Sequence, residues 1–230
     1  MEMKIKLEKG QKLFYTSDTH YNHKNICRGV TSWRTVDGEI PVNQTRSFNT
    51  LEQMNDNIVS GLNHLVGEDD ILIHLGDFSF GGFENIEIFR NRIKCKNIHL
   101  ILGNHDHHIE KNRGGVRDIF KSVNQTLTLE VEMYKESKKD SKIVHTFELS
   151  HYPIASWKNM NNGVILLHGH VHLGPKVRMS NTNKGRYMDV GIDGNNMNPI
   201  SMEEVLKLLG GKEVGKLSLP SDHHEERLKS

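Results

Sequence analysis

The sequence predicts an α/β fold from three recurring patterns. Short apolar runs ending abruptly in Gly, Asp, Asn or His occur at four places. Between them lie stretches whose apolar residues repeat at helical spacing, and one long stretch alternates apolar and polar residues on either side of a charged centre. Runs of that length and composition read as buried strands, and a strand buried on both faces needs helices or a second sheet to cover it.

The runs are 12–17 (KLFYTS), entering Asp18-Thr-His20; 70–75 (DILIHL), entering Gly76-Asp77; 97–102 (NIHLIL), entering Gly103-Asn-His-Asp106; and 163–167 (GVILL), entering His168-Gly-His-Val-His172. From Ser47 to Val66, Leu51, Met54, Ile58, Leu62 and Leu65 recur every three or four residues, one face of a helix, with Gly67 suited to its end. A shorter helix is expected over 85–92, with Ile86, Phe89 and Ile93 on one side. Ser201-Met-Glu-Glu204 is a capping box before a helix over 205–209 that Gly210-Gly211 stops. Between Thr126 and Leu149 the alternation of Leu127, Leu129, Val131 and Met133, answered by Ile143, His145 or Phe147, and Leu149, predicts a β-hairpin with a solvated tip at 136–142.

The chain of 230 residues is long enough for one sizeable domain, placed at 1–210, with 211–230 a charged tail expected to be poorly ordered. A formal charge of +1 demands no polyanionic partner. Cys27 and Cys95, far apart and in no metal or redox spacing, predict no disulfide framework and a reducing, cytoplasmic setting. No segment is apolar enough for a signal peptide or a membrane span, so no membrane partner is expected.

Fifteen histidines are a weak signal until their positions are considered. Asp18 and His20 are two apart and would point the same way on an extended chain; so would His170 and His172, and the two pairs would form a chelating floor on neighbouring strand ends. Ligands collect outside the carboxyl ends of strands in open α/β folds. Each short motif alone has an ordinary reading as a turn, a loop or a surface histidine. Their joint occurrence in this order, each after a strand, does not. Two Asp, four His and one Asn oxygen, with no thiolate, suit manganese, iron, zinc or nickel. Asp77, alone after a central strand, is the carboxylate expected to bridge two cations.

In these motifs the sequence resembles the calcineurin-like metallophosphoesterases, whose pattern D-x-H, G-D, G-N-H-D/E, H, G-H-x-H is met by Asp18-x-His20, Gly76-Asp77, Gly103-Asn-His-Asp106, His151 and Gly169-His-Val-His172. The similarity spans about Leu13 to Pro199. Thr16-Ser-Asp-Thr-His-Tyr-Asn-His23, His151-Tyr-Pro153 and Asp189-Val-Gly-Ile-Asp193 look like a subgroup of small bacterial and phage phosphohydrolases. The resemblance implies a four-layer α-β-β-α sandwich of two mixed β-sheets flanked by helices. It implies two divalent metal ions, manganese foremost, one held by Asp18, His20, Asp77 and His172 and the other by Asp77, Asn104, His151 and His170. It implies that His105 is a general acid whose ring Asp106 orients, and that a metal-bridging hydroxide attacks a phosphodiester or phosphomonoester.

The expected partner is a small phosphate ester or nucleotide, with a nucleic-acid end as a further candidate. His23, Arg28 and Arg34 are candidate substrate contacts. Gly76-Asp77 continues into Phe-Ser-Phe-Gly-Gly82 rather than Asp-Arg-Gly, which disfavours the protein serine/threonine phosphatase branch. A fold-retaining binding protein without activity is the competing expectation; such proteins lose ligands or the catalytic histidine, and none is lost here.

Overall fold

The computed structural model describes residues 1–134, 142–179, 185–211 and 214. Of the expected hairpin tip at 136–142 and tail at 211–230, residues 136–141, 212–213 and 215–230 lie outside the described residues. The strands are β1 (Glu2–Lys6), β2 (Leu13–Thr16), β3 (Ile71–His74), β4 (Asn97–Ile101), β5 (Ser122–Asn124), β6 (Thr126–Tyr134), β7 (Lys142–Ser150), β8 (Ile165–His168), β9 (Arg186–Asp189) and β10 (Ile200–Ser201). The α-helices are α1 (Leu51–Leu65), α2 (Phe83–Arg92), α3 (His107–Glu110) and α4 (Met202–Leu209).

Two mixed five-stranded sheets result, ordered β10-β2-β3-β4-β5 and β1-β6-β7-β8-β9. In the first, β2 to β5 run parallel and β10 antiparallel. In the second, β6 and β7 are the expected hairpin, paired from Thr126↔Ser150 to Tyr134↔Lys142, and β8 and β9 continue parallel to β7. The sheets pack face to face through Leu13, Tyr15, Ile71 and Ile73 on one side and Leu127, Leu129, Val131, Phe147, Leu149, Ile165 and Leu167 on the other. Tyr15 and Phe147 meet with ring centroids 5.4 Å apart. Burial of each such side chain contributes about 1.5–3 kcal/mol.

The opposite face of the first sheet, through Phe14, Leu72, Ile98 and Leu100, is covered by Met54, Ile58, Val59 and Leu62 of α1 and Ile86 and Phe89 of α2. Helical cover is uneven: α4 joins the inter-sheet core through Met202, Val205 and Leu209. On the second sheet Leu166 is covered by a separate small cluster of Trp157, Met160 and Val164. Thr50 caps α1 by accepting the Gln53 N–H, and Ser201 caps α4 by accepting that of Glu204, each worth about 1 kcal/mol.

Two local readings change. Met1 to Lys9 contains an edge strand, β1, parallel to β6 from Glu2↔Thr128 to Lys6↔Glu132; its Met3 and Ile5, alternating with charged residues, pack partly buried against the inter-sheet core. Leu65 is 41% exposed in the last turn of α1, and the buried stripe instead includes Asn55 and Val59. His107 and His108 open the short helix α3 directly after the Gly103-Asn-His-Asp106 motif. Cys27 and Cys95 are buried free thiols. Among the described residues no helix is long and apolar enough to cross a membrane.

The parallel order puts the carboxyl ends of β2, β3 and β4 on one rim. The ends of β7 and β8 come to the same rim, where a lone bridge joins Ser17 to Gly191.

Candidate metal centre

All seven residues predicted as ligands come together at this rim. Asp18 and His20 follow β2, Asp77 follows β3, Asn104 follows β4, His151 follows β7, and His170 and His172 follow β8. The pairs Asp18/His20 and His170/His172 therefore belong to different sheets and meet across the gap, not on adjacent strands of one sheet.

Nor is the chain extended there. Asp18 (φ 55°), His20 (47°), Asp77 (56°), His170 (73°) and His172 (50°) all adopt the left-handed conformation, where Asp, Asn and His are the best tolerated residues after glycine. Such backbone costs on the order of 1–3 kcal/mol per residue and persists only when over-determined. Here Asp18 N–H donates to the Gly76 carbonyl at 2.9 Å and His20 N–H to that of Asp77 at 3.0 Å. His170 N–H donates to Asp18 Oδ2 at 2.9 Å. The members of each pair are thus brought to the site by left-handed turns held from the neighbouring loops, not by the alternation of an extended strand end.

Asp77 Oδ2 lies 3.4 Å from His20 Nε2 and 3.6 Å from His151 Nε2, between two groups of donors. On one side His20 Nε2 and His172 Nε2 are 3.2 Å apart, and Asp18 Oδ1 is 4.0 and 3.8 Å from them. On the other, Asn104 Oδ1 is 3.0 Å from His151 Nε2 and 2.9 Å from His170 Nδ1. Ligand atoms about 2.1 Å from a shared cation stand about 3.0–3.4 Å from each other in octahedral or tetrahedral geometry, so these spacings fit a cation on each side. Asp18, Asp77 and His151 also offer mutually close donor atoms, so Asp18 lies near both groups.

The electrostatics agree with a cation-holding role. Burial pushes the Asp18 carboxyl up to about 7, opposed by His172 and reinforced by Asp77 and Asp189. Its charged form is therefore costly without a compensating positive charge. Burial, with Arg46 and the neighbouring histidines, holds His20 well below the usual range, so its ring is neutral and its nitrogen lone pair is free to bind.

Ring orientation is set from behind. His151 Nδ1 meets the Leu75 carbonyl at 2.7 Å and His172 Nδ1 meets Asp193 Oδ2 at 2.7 Å, each leaving Nε2 facing inward. Burial would raise the Asp193 carboxyl, but Arg46 and His172 outweigh it and hold the group well below the carboxylate range. Arg46 donates from Nε and Nη2 to Asp193 at 2.8 and 2.9 Å, from Nη1 to the Thr19 carbonyl and from Nη2 to that of Asp18. Asp193 and Arg46 are site residues that the sequence reading did not assign. Asp193 belonged to a noticed segment, Asp189-Val-Gly-Ile-Asp193; Arg46 carried no local signal at all.

Asp106 takes a different place from the ring-orienting one that the family resemblance implied. Its Oδ2 accepts the N–H groups of Asp77 and Gly103, both at 2.8 Å, and Oδ1 accepts that of Phe78 at 2.9 Å. Burial pushes this carboxyl up to about 7 against those three donors. The carboxylate is thus occupied in tying the β4 loop to the β3 loop. His105, with a 42% exposed side chain, stands at the mouth with Nε2 4.0 Å from Asp77 Oδ2 and its N–H on Asp77 Oδ1. His23 faces the same cavity, its ring flat on Phe80 at 3.7 Å. Arg28 and Arg34 instead spend their guanidinium groups on loop oxygens, Arg28 on Thr45 and Val42 and Arg34 on Thr31 and Trp33. His74, buried at the end of β3, has Nε2 2.8 Å from Thr19 Oγ1.

Two motif glycines are required by close approach. A Cβ on Gly103 would collide with Asp77 Oδ1 and lie 2.5 Å from its backbone nitrogen, and one on Gly169 would collide with Ser17 Oγ and Asp18 Oδ2. Gly169→Ala is therefore expected to displace the Asp18 carboxylate and weaken divalent-ion binding about 10–100-fold, the range for disturbing a ligand's support. Calorimetric titration with manganese measures this; an unchanged affinity would show that the carboxylate can yield.

The sequence model of the calcineurin-like phosphoesterase family matches residues 12–187. An uncharacterized protein of Methanocaldococcus jannaschii is 27% identical over 206 residues, covering 86% of this chain and 92% of that protein. Gene 66 protein of Mycobacterium phage L5 is 25% identical, covering 78% of this chain and 86% of its own length. The crystal structure of a protein of unknown function from Aquifex aeolicus shares the fold, with a TM-score of 0.53 at 22% identity, over 87% of this chain and all of that one.

Proposed function

We propose, from the premise that this chain belongs to the calcineurin-like phosphoesterase family, that it is a dinuclear metal-dependent hydrolase of phosphodiester or phosphomonoester bonds in a nucleotide or other small phosphate ester. The observation that carries the reading is Asp77 Oδ2, set between His20 Nε2 at 3.4 Å and His151 Nε2 at 3.6 Å, at the junction of two donor groups. The residues that would hold one ion are Asp18, His20, Asp77 and His172, and those for the other are Asp77, Asn104, His151 and His170. Manganese suits this hard-to-borderline donor set, with iron, zinc and nickel as competitors. When bound, such ions lower the pKa of water toward neutrality and offset charge on phosphoryl oxygens.

The protein's own residues do the rest. Asp106 and the left-handed turns hold the donors in place. His105 stands at the mouth of the cavity and supplies a proton to the leaving oxygen, and Asp106 acts on it only through the backbone of their shared loop. The catalytic unit is the domain over 1–210, and a cytoplasmic setting suits its free thiols.

Purified protein with manganese is expected to hydrolyse a chromogenic phosphodiester in a chelator-sensitive way. Failure on both monoester and diester panels, with two ions bound, would overturn the reading. His105→Ala is expected to keep its metal and lose about 10²–10⁴-fold in kcat on alkyl phosphates, and far less on p-nitrophenyl esters, whose leaving group needs no proton. Equal losses on both would remove His105 from that role.

A further inference from the structure

We propose that the cavity beside the metal centre is a nucleobase subsite, in which Trp33 stacks on a purine or pyrimidine ring while the side-chain amides of Asn43 and Gln44 read its edge. This rests on the phosphoesterase reading, since it assigns what lies beyond the phosphate in the same substrate.

The cavity measures about 470 Å³ and is continuous with His20, His105 and His172, a size suited to a small ligand. One wall is aromatic. The His23 ring lies flat on Phe80, with an interplanar angle of 7°, and Trp33 stands edge-on to His23 at 5.8 Å and 88°. Trp33 is 37% exposed, a large apolar ring that lines the cavity and remains open to solvent. Ile26, buried, adds an apolar patch to the lining. A flat heteroaromatic ring matches such walls, because base-on-aromatic stacking needs only two π faces.

Charge points the same way. The guanidinium groups of this loop are already committed: Arg46 to Asp193, Arg28 to Thr45 and Val42, and Arg34 to two backbone carbonyls. Neither Arg28 nor Arg34 lines the cavity and Arg46 is paired with Asp193, so the lining formed by Ile26, Trp33, Asn43, Gln44 and Thr45 presents no unpaired cation for a second phosphate. Asn43 and Gln44, both exposed, are among the residues that line the cavity, and their side-chain amides make no hydrogen bond among the described residues. Each offers a donor and an acceptor side by side, the pattern that pairs with a base edge. They sit on a single 3-10 turn, Val42–Gln44, which Arg28 clamps through the Val42 and Thr45 carbonyls at 3.1 and 3.0 Å. Arg28 is accordingly a positioning residue for the amides. Ordering the turn in advance lowers the entropy cost of binding.

The test uses the two tryptophans as reporters. Trp157 is buried, with its indole N–H on the Val164 carbonyl, in a cluster on the second sheet away from this cavity. Adenosine, guanosine, cytidine and uridine, which carry no phosphate to be cleaved, are titrated into the metal-loaded protein alongside ribose 5-phosphate. Saturable quenching of tryptophan fluorescence by nucleosides but not by ribose 5-phosphate is expected. Trp33→Leu should abolish the quench and weaken nucleoside binding, read by calorimetry, about tenfold or more. The double variant Asn43→Ala/Gln44→Ala should change the rank order of the four nucleosides. Nucleoside binding that Trp33→Leu leaves intact, or no nucleoside binding at all, overturns the subsite. If base-free phosphate esters are then still hydrolysed, the phosphoesterase reading stands alone. Trp33-dependent nucleoside binding in a protein that cleaves no ester supports the subsite and overturns the phosphoesterase reading.

Discussion

Asp77→Asn is expected to lower kcat by about a thousandfold or more and to reduce the bound metal from two ions per chain to one or none. The substitution is nearly isosteric. Its Oδ1 can still accept the His105 N–H, now at 2.8 Å, so the tie between the β3 and β4 loops survives. What disappears is the negative charge at Oδ2, the atom shared by both donor groups. Removing a single preorganised hydrogen-bond donor from an active site typically costs about 10²–10³-fold, and a shared anionic ligand supports two cations at once. Metal analysis alongside steady-state hydrolysis separates the possibilities. Full metal content with full activity would deny Asp77 the shared position.

Arg46→Met is expected to lower stability by up to about 3–5 kcal/mol, the penalty for stranding one member of a fully buried ion pair, reduced here because the Asp193 side chain is 21% exposed. Arg46 has a 4% exposed side chain and donates to Asp193 and to the carbonyls of Asp18 and Thr19. Without it, the Asp193 carboxylate keeps its burial and loses its main counter-charge, and two carbonyls beside the metal centre lose their donor. Against a total stability of about 5–15 kcal/mol, that loss is large. It should be visible as a fall in the denaturant midpoint. In the double variant Arg46→Met/Asp193→Leu no charge is left stranded, so most of the stability should return. Activity should not, because His172 Nδ1 then has no acceptor to aim its ring. If the double variant is as unstable as the single one, the stranded carboxylate is not the cause.

His151 shows how far the sequence reaches. Its place after the hairpin was legible because Leu127, Leu129 and Val131 alternate strictly and are answered by Phe147 and Leu149, which requires β6 and β7 to pair in one register. The ends of β2, β3, β4 and β8 were legible for a related reason: each is a short, fully or mostly buried run stopped by a residue that cannot continue it. Edge strand β1 did carry a pattern, Met3, Ile5 and Leu7 alternating with Glu2, Lys4 and Lys6, but so short a run has neither a turn signal nor a visible partner in the sequence, and its place beside β6 is a long-range pairing.

For the candidate site, the sequence nominated the residues and the fold decided their geometry. Asp18, His20, Asp77, Asn104, His151, His170 and His172 could be named from their motifs, since metal chemistry restricts which side chains serve and strand ends restrict where. Their left-handed backbone could not, because φ at a turn is imposed by hydrogen bonds such as those from Asp18 and His20 to the β3 loop, formed between segments 58 and 57 residues apart. Arg46 and Asp193 lay beyond reach for the same reason. They are 147 residues apart in sequence, and a buried ion pair leaves no local pattern. The role of Asp106 was likewise decided by three backbone N–H groups that only the packed loops bring to one carboxylate. Local physics, the burial period and the donor chemistry of side chains, is written along the chain; which partners a polar group meets depends on long-range packing, and that information exists only once the two sheets have closed on each other.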